Sequence, residues 1–198
     1  MITVMALLAY FLVYFLLAFA WRSLVVYRRA GLNPFVLPSR DDAYGYVGRA
    51  FKLVVAGIAL VVVANATYPI ITSHLVPIAA LHHYWITSLG WVILLASLPW
   101  LLVAQAQMGN SWRIGIDERN KTELVRTGLF AVSRNPIFLA MRLNLLGLFL
   151  VLPNAATLIL LTSGELLIQV QVRLEEPHLS TLHGSSYQEY CLGVRRWL

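Results

Sequence analysis

Two charges stand inside apolar runs of this chain, where charge is costly. Arg142 interrupts Pro136 to Leu152, and Glu165 interrupts Ala155 to Val172. A lone charge at mid-bilayer costs about 2.5–3.5 kcal/mol on insertion scales, so each should have a partner. Pro153-Asn154 between the runs is a turn signal and predicts a tight antiparallel helical hairpin. Arg142 lies eleven residues before Pro153 and Glu165 eleven after Asn154. Equal path lengths give equal depth, so the spacing predicts an Arg142–Glu165 contact with Asn144 as a neighbour. A pair that fixes hairpin register and a pair that touches substrate fit this placement equally well.

The same count sets Arg134 opposite Arg173 at the open end of the hairpin. Two facing cations call for an anion between them, which Glu175, Glu176 or a ligand carboxylate would supply. Along the last run Glu165, Gln169, Arg173 and Glu176 recur at three- and four-residue spacing, a polar stripe on an apolar helix. Such a stripe faces a bundle interior or wet cavity in preference to lipid. Ahead of the hairpin, Gly128 to Phe138 places a Gly-containing turn, an Arg and a Pro at the mouth of the apolar run. That is the make-up of a binding turn at the water interface.

The elements that position these residues follow from composition. The 198 residues are 59% hydrophobic and 12% charged, against about 25% charged in a soluble domain. The reading is an all-α integral membrane protein of about five transmembrane helices, the last two a tight hairpin, plus a cytoplasmic C-terminal helical segment. The spans are Ile2 to Trp21, Leu53 to Ile71, Tyr84 to Ala106, and the two hairpin runs. The first lacks the basic start of a signal peptide and reads as a retained span. Gly31, Asn33-Pro34, Pro38 and Asp41-Asp42 mark a loop with room for a short interfacial helix. Pro69, Pro77 and His82-His83 mark the next turn, while Asn65 and Pro99 sit inside spans and need neighbours to satisfy freed polar groups. Residues 1–106 form the N-terminal spans with a loop at 22–52, and 107–198 carry the site, in one structural unit.

Charge placement sets the topology. Apart from Arg142, every Lys and Arg lies at 22–52, at 107–135 or from Arg173 onward, all on one side of a five-span chain. The positive-inside rule then puts the N-terminus outside and the C-terminus in the cytoplasm. The net charge of +6 is spread over these loops and forms no single stripe, which argues against nucleic acid. One cysteine, Cys191, excludes an internal disulfide framework, and the histidines are not spaced as a metal set. No Gly-rich phosphate loop, His-Glu-x-x-His or Gly-x-Ser-x-Gly elbow is present.

Residues from about 105 to 198 resemble the isoprenylcysteine carboxyl methyltransferase and phospholipid methyltransferase superfamily of integral membrane enzymes. The resemblance rests on an ordered set: Gly128 and Phe130; Arg134, Pro136 and Phe138; Arg173, Glu175 and Glu176; then Gly184, Tyr187 and Tyr190. The preceding Asn110 to Asp117 is similar to bacterial members, which implies a bacterial inner membrane. Asn135 stands where the family has His and Phe138 where it has Tyr, so any general base comes from elsewhere. The resemblance implies S-adenosylmethionine-dependent methyl transfer to a lipophilic acceptor that enters from the membrane lipids: an isoprenylcysteine-like carboxylate, a lipid amine or a thiol. It implies cofactor contacts from Val125, Gly128, Phe130, Arg134, Asn135, Pro136, Phe138, Glu175, Tyr187 and Tyr190. Catalytic roles would fall to Arg173, Glu176, Arg142 and Glu165. Taken singly, the arginines also read as interfacial anchors, and Tyr187, Tyr190 and Trp197 as an aromatic belt. A non-catalytic lipid- or partner-binding protein of the same fold is the second reading. A small transporter is the third, and it lacks the repeated halves that class shows.

Overall fold

The computed structural model describes residues 2–31, 41–68, 70, 74–114 and 123–198. The turn signals at Asn33-Pro34, Pro38 and Pro69 and the stretch Gly115 to Asp117 lie outside them. Among the described residues the chain is all helical. Helix α1 (Ile2–Phe15) runs through a π-helical stretch, Leu16–Trp21, into α2 (Arg22–Ala30), and Gly31 ends it in the left-handed region at φ 65. Then follow α3 (Ala43–Thr67), α4 (Tyr84–Met108), α5 (Pro136–Val151), α6 (Ala155–His183) and α7 (Ser185–Gly193).

Four helical stretches, Met5–Arg29, Ala43–Thr67, Tyr84–Ser111 and Ala155–His183, are long and apolar enough to cross a membrane. The expected fifth span, α5, has 16 residues and covers about 24 Å at 1.5 Å per residue, short of a 30 Å core. The helices overrun the apolar runs that announce them. The first passes Trp21 and continues to Ala30, because Arg28 and Arg29 point outward while Val26 is buried. The second starts at Ala43, ten residues before Leu53, because Asp42 caps it by accepting from the Gly45 amide at 2.8 Å.

Helices α4 and α5 pack closest. A Cβ on Gly147 would lie 2.8 Å from the Leu94 side chain and 3.1 Å from the Gly90 carbonyl oxygen. Two glycines that face each other let the backbones meet, as small residues do between membrane helices. A polar knot ties these two helices to α1. Asn144 donates to the Tyr10 hydroxyl at 2.6 Å, and Tyr10 and Ser97 both donate to the Leu94 carbonyl, at 2.8 and 2.9 Å. Asn144 therefore does not join Arg142 and Glu165 as expected; two residues along a helix turn it by about 200° to another face. The π-helical stretch is answered by Gln105, whose amide donates to the Ala18 carbonyl at 2.9 Å.

The hairpin turn forms where Pro153-Asn154 indicates. The Asn154 side chain accepts from the Thr157 amide at 2.9 Å, and the Thr157 hydroxyl accepts from the Asn154 amide at 3.3 Å, a reciprocal capping box. The 74–81 segment lies over it, with the Ile78 amide on the Pro153 carbonyl at 3.0 Å.

Substituting Gly147→Leu should force α4 and α5 apart and cost about 1–3 kcal/mol. Thermal unfolding in detergent should show a lowered Tm, and an unchanged Tm would contradict the close packing.

Candidate active site

The Gly128–Phe138 stretch is shaped by the end of α4. Gly128 has φ 64, and a Cβ there would run into the Gln107 side chain, whose oxygen accepts from the Leu129 amide at 2.8 Å. Only glycine meets both demands. The short turn Gly128–Ala131 then presents the Phe130 carbonyl to the Tyr190 hydroxyl, which donates to it at 2.5 Å. Asn135 and Pro136 follow, with Pro136 at the first turn of α5, where its missing N–H costs nothing. The Pro136 carbonyl accepts from the Trp100 indole at 3.0 Å.

Arg134 is thereby held 3.0 Å from Glu176 on α6, with the two side chains 12% and 18% exposed. Its other terminal nitrogen donates to the Cys191 carbonyl at 3.3 Å, while its Nε is buried without a protein partner. Glu176 also takes Arg196 in a two-point contact, Nε at 2.9 Å and Nη2 at 2.6 Å. One carboxylate thus holds two guanidinium groups, and its hydrogen bonds raise the Arg196 pKa above its ordinary value. Tyr187 and Tyr190 are buried beside the cluster. Burial pushes both phenols up, Tyr190 to about 12, so both are protonated at neutral pH.

A second polar row runs up the hairpin. Arg142 Nε donates to Glu165 at 2.6 Å, the contact that the residue count predicts. The Gln169 amide donates to the other Glu165 oxygen at 2.8 Å, and Arg173 donates to the Gln169 side-chain oxygen at 2.7 Å. The Trp197 ring lies 4.3 Å from the Arg142 guanidinium carbon and covers it.

Most of the expected site residues come together, in two groups. Arg134, Glu176, Tyr187, Tyr190 and Asn135 share the first; Arg142, Glu165 and Arg173 share the second. Of the two arginines expected to share an anion, Arg134 reaches Glu176, while Arg173 turns back along α6 to Gln169. Glu175 is half-buried and, one residue from Glu176, points to another face of α6. Val125 lies in the irregular stretch before the turn, and Phe138 packs against the core. Sequence reasoning missed Arg196 and Ser133. The Ser133 hydroxyl accepts from the Asn135 amide at 3.2 Å, and the Asn135 side chain donates to the Arg196 carbonyl at 3.1 Å. The available signal for Arg196 was the excess of arginines over acids in the polar segment after α6.

A family model for phospholipid methyltransferases matches residues 85–186, more than half of the chain. The chain belongs to the phospholipid methyltransferase family. This family is part of the integral membrane methyltransferase superfamily that includes the isoprenylcysteine carboxyl methyltransferases. The match begins in the first turn of α4, earlier than the resemblance at about residue 105, so α4 belongs to the family's common region. It takes in the hairpin and Arg134, Arg142, Glu165 and Glu176, and ends before Tyr187 and Arg196. No curated protein and no solved structure matches this family member.

Reversing one charge, Arg142→Glu or Glu165→Arg, should destabilise the hairpin by about 1–2 kcal/mol, less than for a fully buried pair because the side chains are 28% and 34% exposed. The double reversal should recover most of that loss in thermal unfolding; failure to recover would contradict the pairing.

Proposed function

We propose that this family member is an S-adenosylmethionine-dependent methyltransferase acting on a lipophilic acceptor, with the methyl donor held at the Arg134–Glu176 junction. One observation carries the reading: a largely buried ion pair joins the Gly128–Phe138 turn to α6 and offers both charge signs in one place. The donor set suits the cofactor. Arg134 has a buried Nε still unpartnered and would hold the carboxylate, and Glu176 would accept from the ammonium or ribose hydroxyls. Tyr187 and Tyr190 supply aromatic faces for the sulfonium, and Gly128 and Asn135 supply nearby backbone groups. When bound, S-adenosylmethionine supplies a methyl group already activated for in-line displacement. The work left to the protein is alignment and exclusion of water.

The acceptor side rests on an apolar crevice of ≈ 40 Å³ between α1, α3, α5 and α6, lined among others by Phe11, Phe15, Phe19, Phe51 and Met141. It suits a hydrocarbon chain that enters from the bilayer. Arg142 and Glu165 each follow a lining residue, Met141 and Gly164, along the same helices, and in this reading they and Arg173 orient the acceptor's polar group. A carboxylate or thiolate acceptor reacts without a base, whereas an amine must first lose a proton. In this reading the basic loops face the cytoplasm, so the site opens to that side and the N-terminus lies outside. A second reading, lipid or partner binding without transfer, is favoured by Asn135: its amide is engaged with the Arg196 carbonyl and carries no ionisable group.

Calorimetry on the purified protein should detect S-adenosylmethionine binding, weakened at least about tenfold, or 1.4 kcal/mol, by Arg134→Ala. No binding at millimolar ligand would sink the proposal. Binding without methyl transfer over a panel of prenylated, amine and thiol lipids would favour the second reading.

A further inference from the structure

The segment that follows α7 touches both halves of the site. Val194 is extended, and after it three successive residues make contact. The Arg195 carbonyl accepts from the Arg134 amide at 2.9 Å. The Arg196 carbonyl accepts from the Asn135 side chain, and its guanidinium clamps Glu176. The Trp197 ring covers Arg142. Residues 195–197 thus form a strap that runs from the Arg134 turn to Arg142 on the hairpin. The strap lies outside the residues 85–186 that the family model matches.

We propose that this strap is a built-in competitor for the methyl donor, with Arg196 holding the carboxylate that the donor's cationic groups require. Three hydrogen bonds from two arginines already fall on Glu176, leaving little acceptor capacity. Arg134, Glu176 and Arg196 together carry one excess positive charge. That excess repels S-adenosylmethionine, which has a sulfonium and an ammonium against one carboxylate. Release of Arg196 leaves a neutral Arg134–Glu176 pair and an open carboxylate. Arg196 is the partner free to leave: its side chain is 34% exposed, against 12% for Arg134. Trp197 is the strap's second anchor, so the strap lifts only when the Arg196 and Trp197 contacts both yield.

The inference rests on the reading that the donor binds at Glu176, and the experiment separates the two. Binding of S-adenosylmethionine and of S-adenosylhomocysteine, which lacks the sulfonium charge, is measured by calorimetry for the wild type, Arg196→Gln and Trp197→Ala. Thermal unfolding confirms that each variant is folded. Arg196→Gln should bind S-adenosylmethionine about tenfold more tightly, as expected for freeing a charged hydrogen-bond acceptor. The gain for S-adenosylhomocysteine should be smaller. Trp197→Ala, which leaves Arg196 in place but frees the other anchor, should shift affinity in the same direction, and it decides the question alone if Arg196→Gln does not fold. Wild-type binding with equal or weaker binding by the variants would overturn the strap and leave the proposed function standing. No binding by any of the three would overturn both.

Discussion

The arrangement depends on the ion pair between Arg134 and Glu176. It joins an irregular turn ahead of α5 to a point about three-quarters of the way along α6, elements that no regular hydrogen-bond ladder connects. A carboxylate this little exposed is tolerated because several charge-assisted hydrogen bonds replace its water. Each neighbouring feature serves that contact. Gly128 sets the turn against Gln107, Tyr190 holds the Phe130 carbonyl, and Pro136 starts α5 in a fixed direction.

The transmembrane part repeats the principle on a larger scale. Three polar side chains placed among apolar helices find partners: Arg142 meets Glu165, Asn144 meets Tyr10, and the Gln105 amide meets the carbonyl of a π-helical turn. These contacts join different helix pairs. Non-directional apolar packing would let the helices slide, so the polar contacts set their register. Facing glycines at 90 and 147 then bring α4 close against α5, the first arm of the hairpin.

What the sequence reveals depends on whether the backbone between two residues is regular. The Arg142–Glu165 contact is legible because Pro153-Asn154 marks the turn, and helices on both sides carry equal counts to equal depth. Asn144 is misjudged because closeness in sequence is not closeness on a helix face. Helix ends are misjudged because amphipathic turns continue past the last apolar residue, as at Arg28-Arg29 and Ala43. Arg196 is illegible for a different reason. It lies beyond Gly193, where the chain leaves helical geometry and no period fixes its direction. The gathering of Arg134, Glu176, Tyr187 and Tyr190 follows from their order around the hairpin, whereas the aromatic crevice draws on four helices and no local pattern.

The methyl donor is proposed to sit where Arg134 meets Glu176. A structure of the protein in lipid nanodiscs with S-adenosylhomocysteine tests it most directly. The product's amino-acid portion should lie within hydrogen-bond distance of both Arg134 and Glu176, with its sulfur facing the hairpin. Product bound elsewhere, with neither residue in contact, would contradict it.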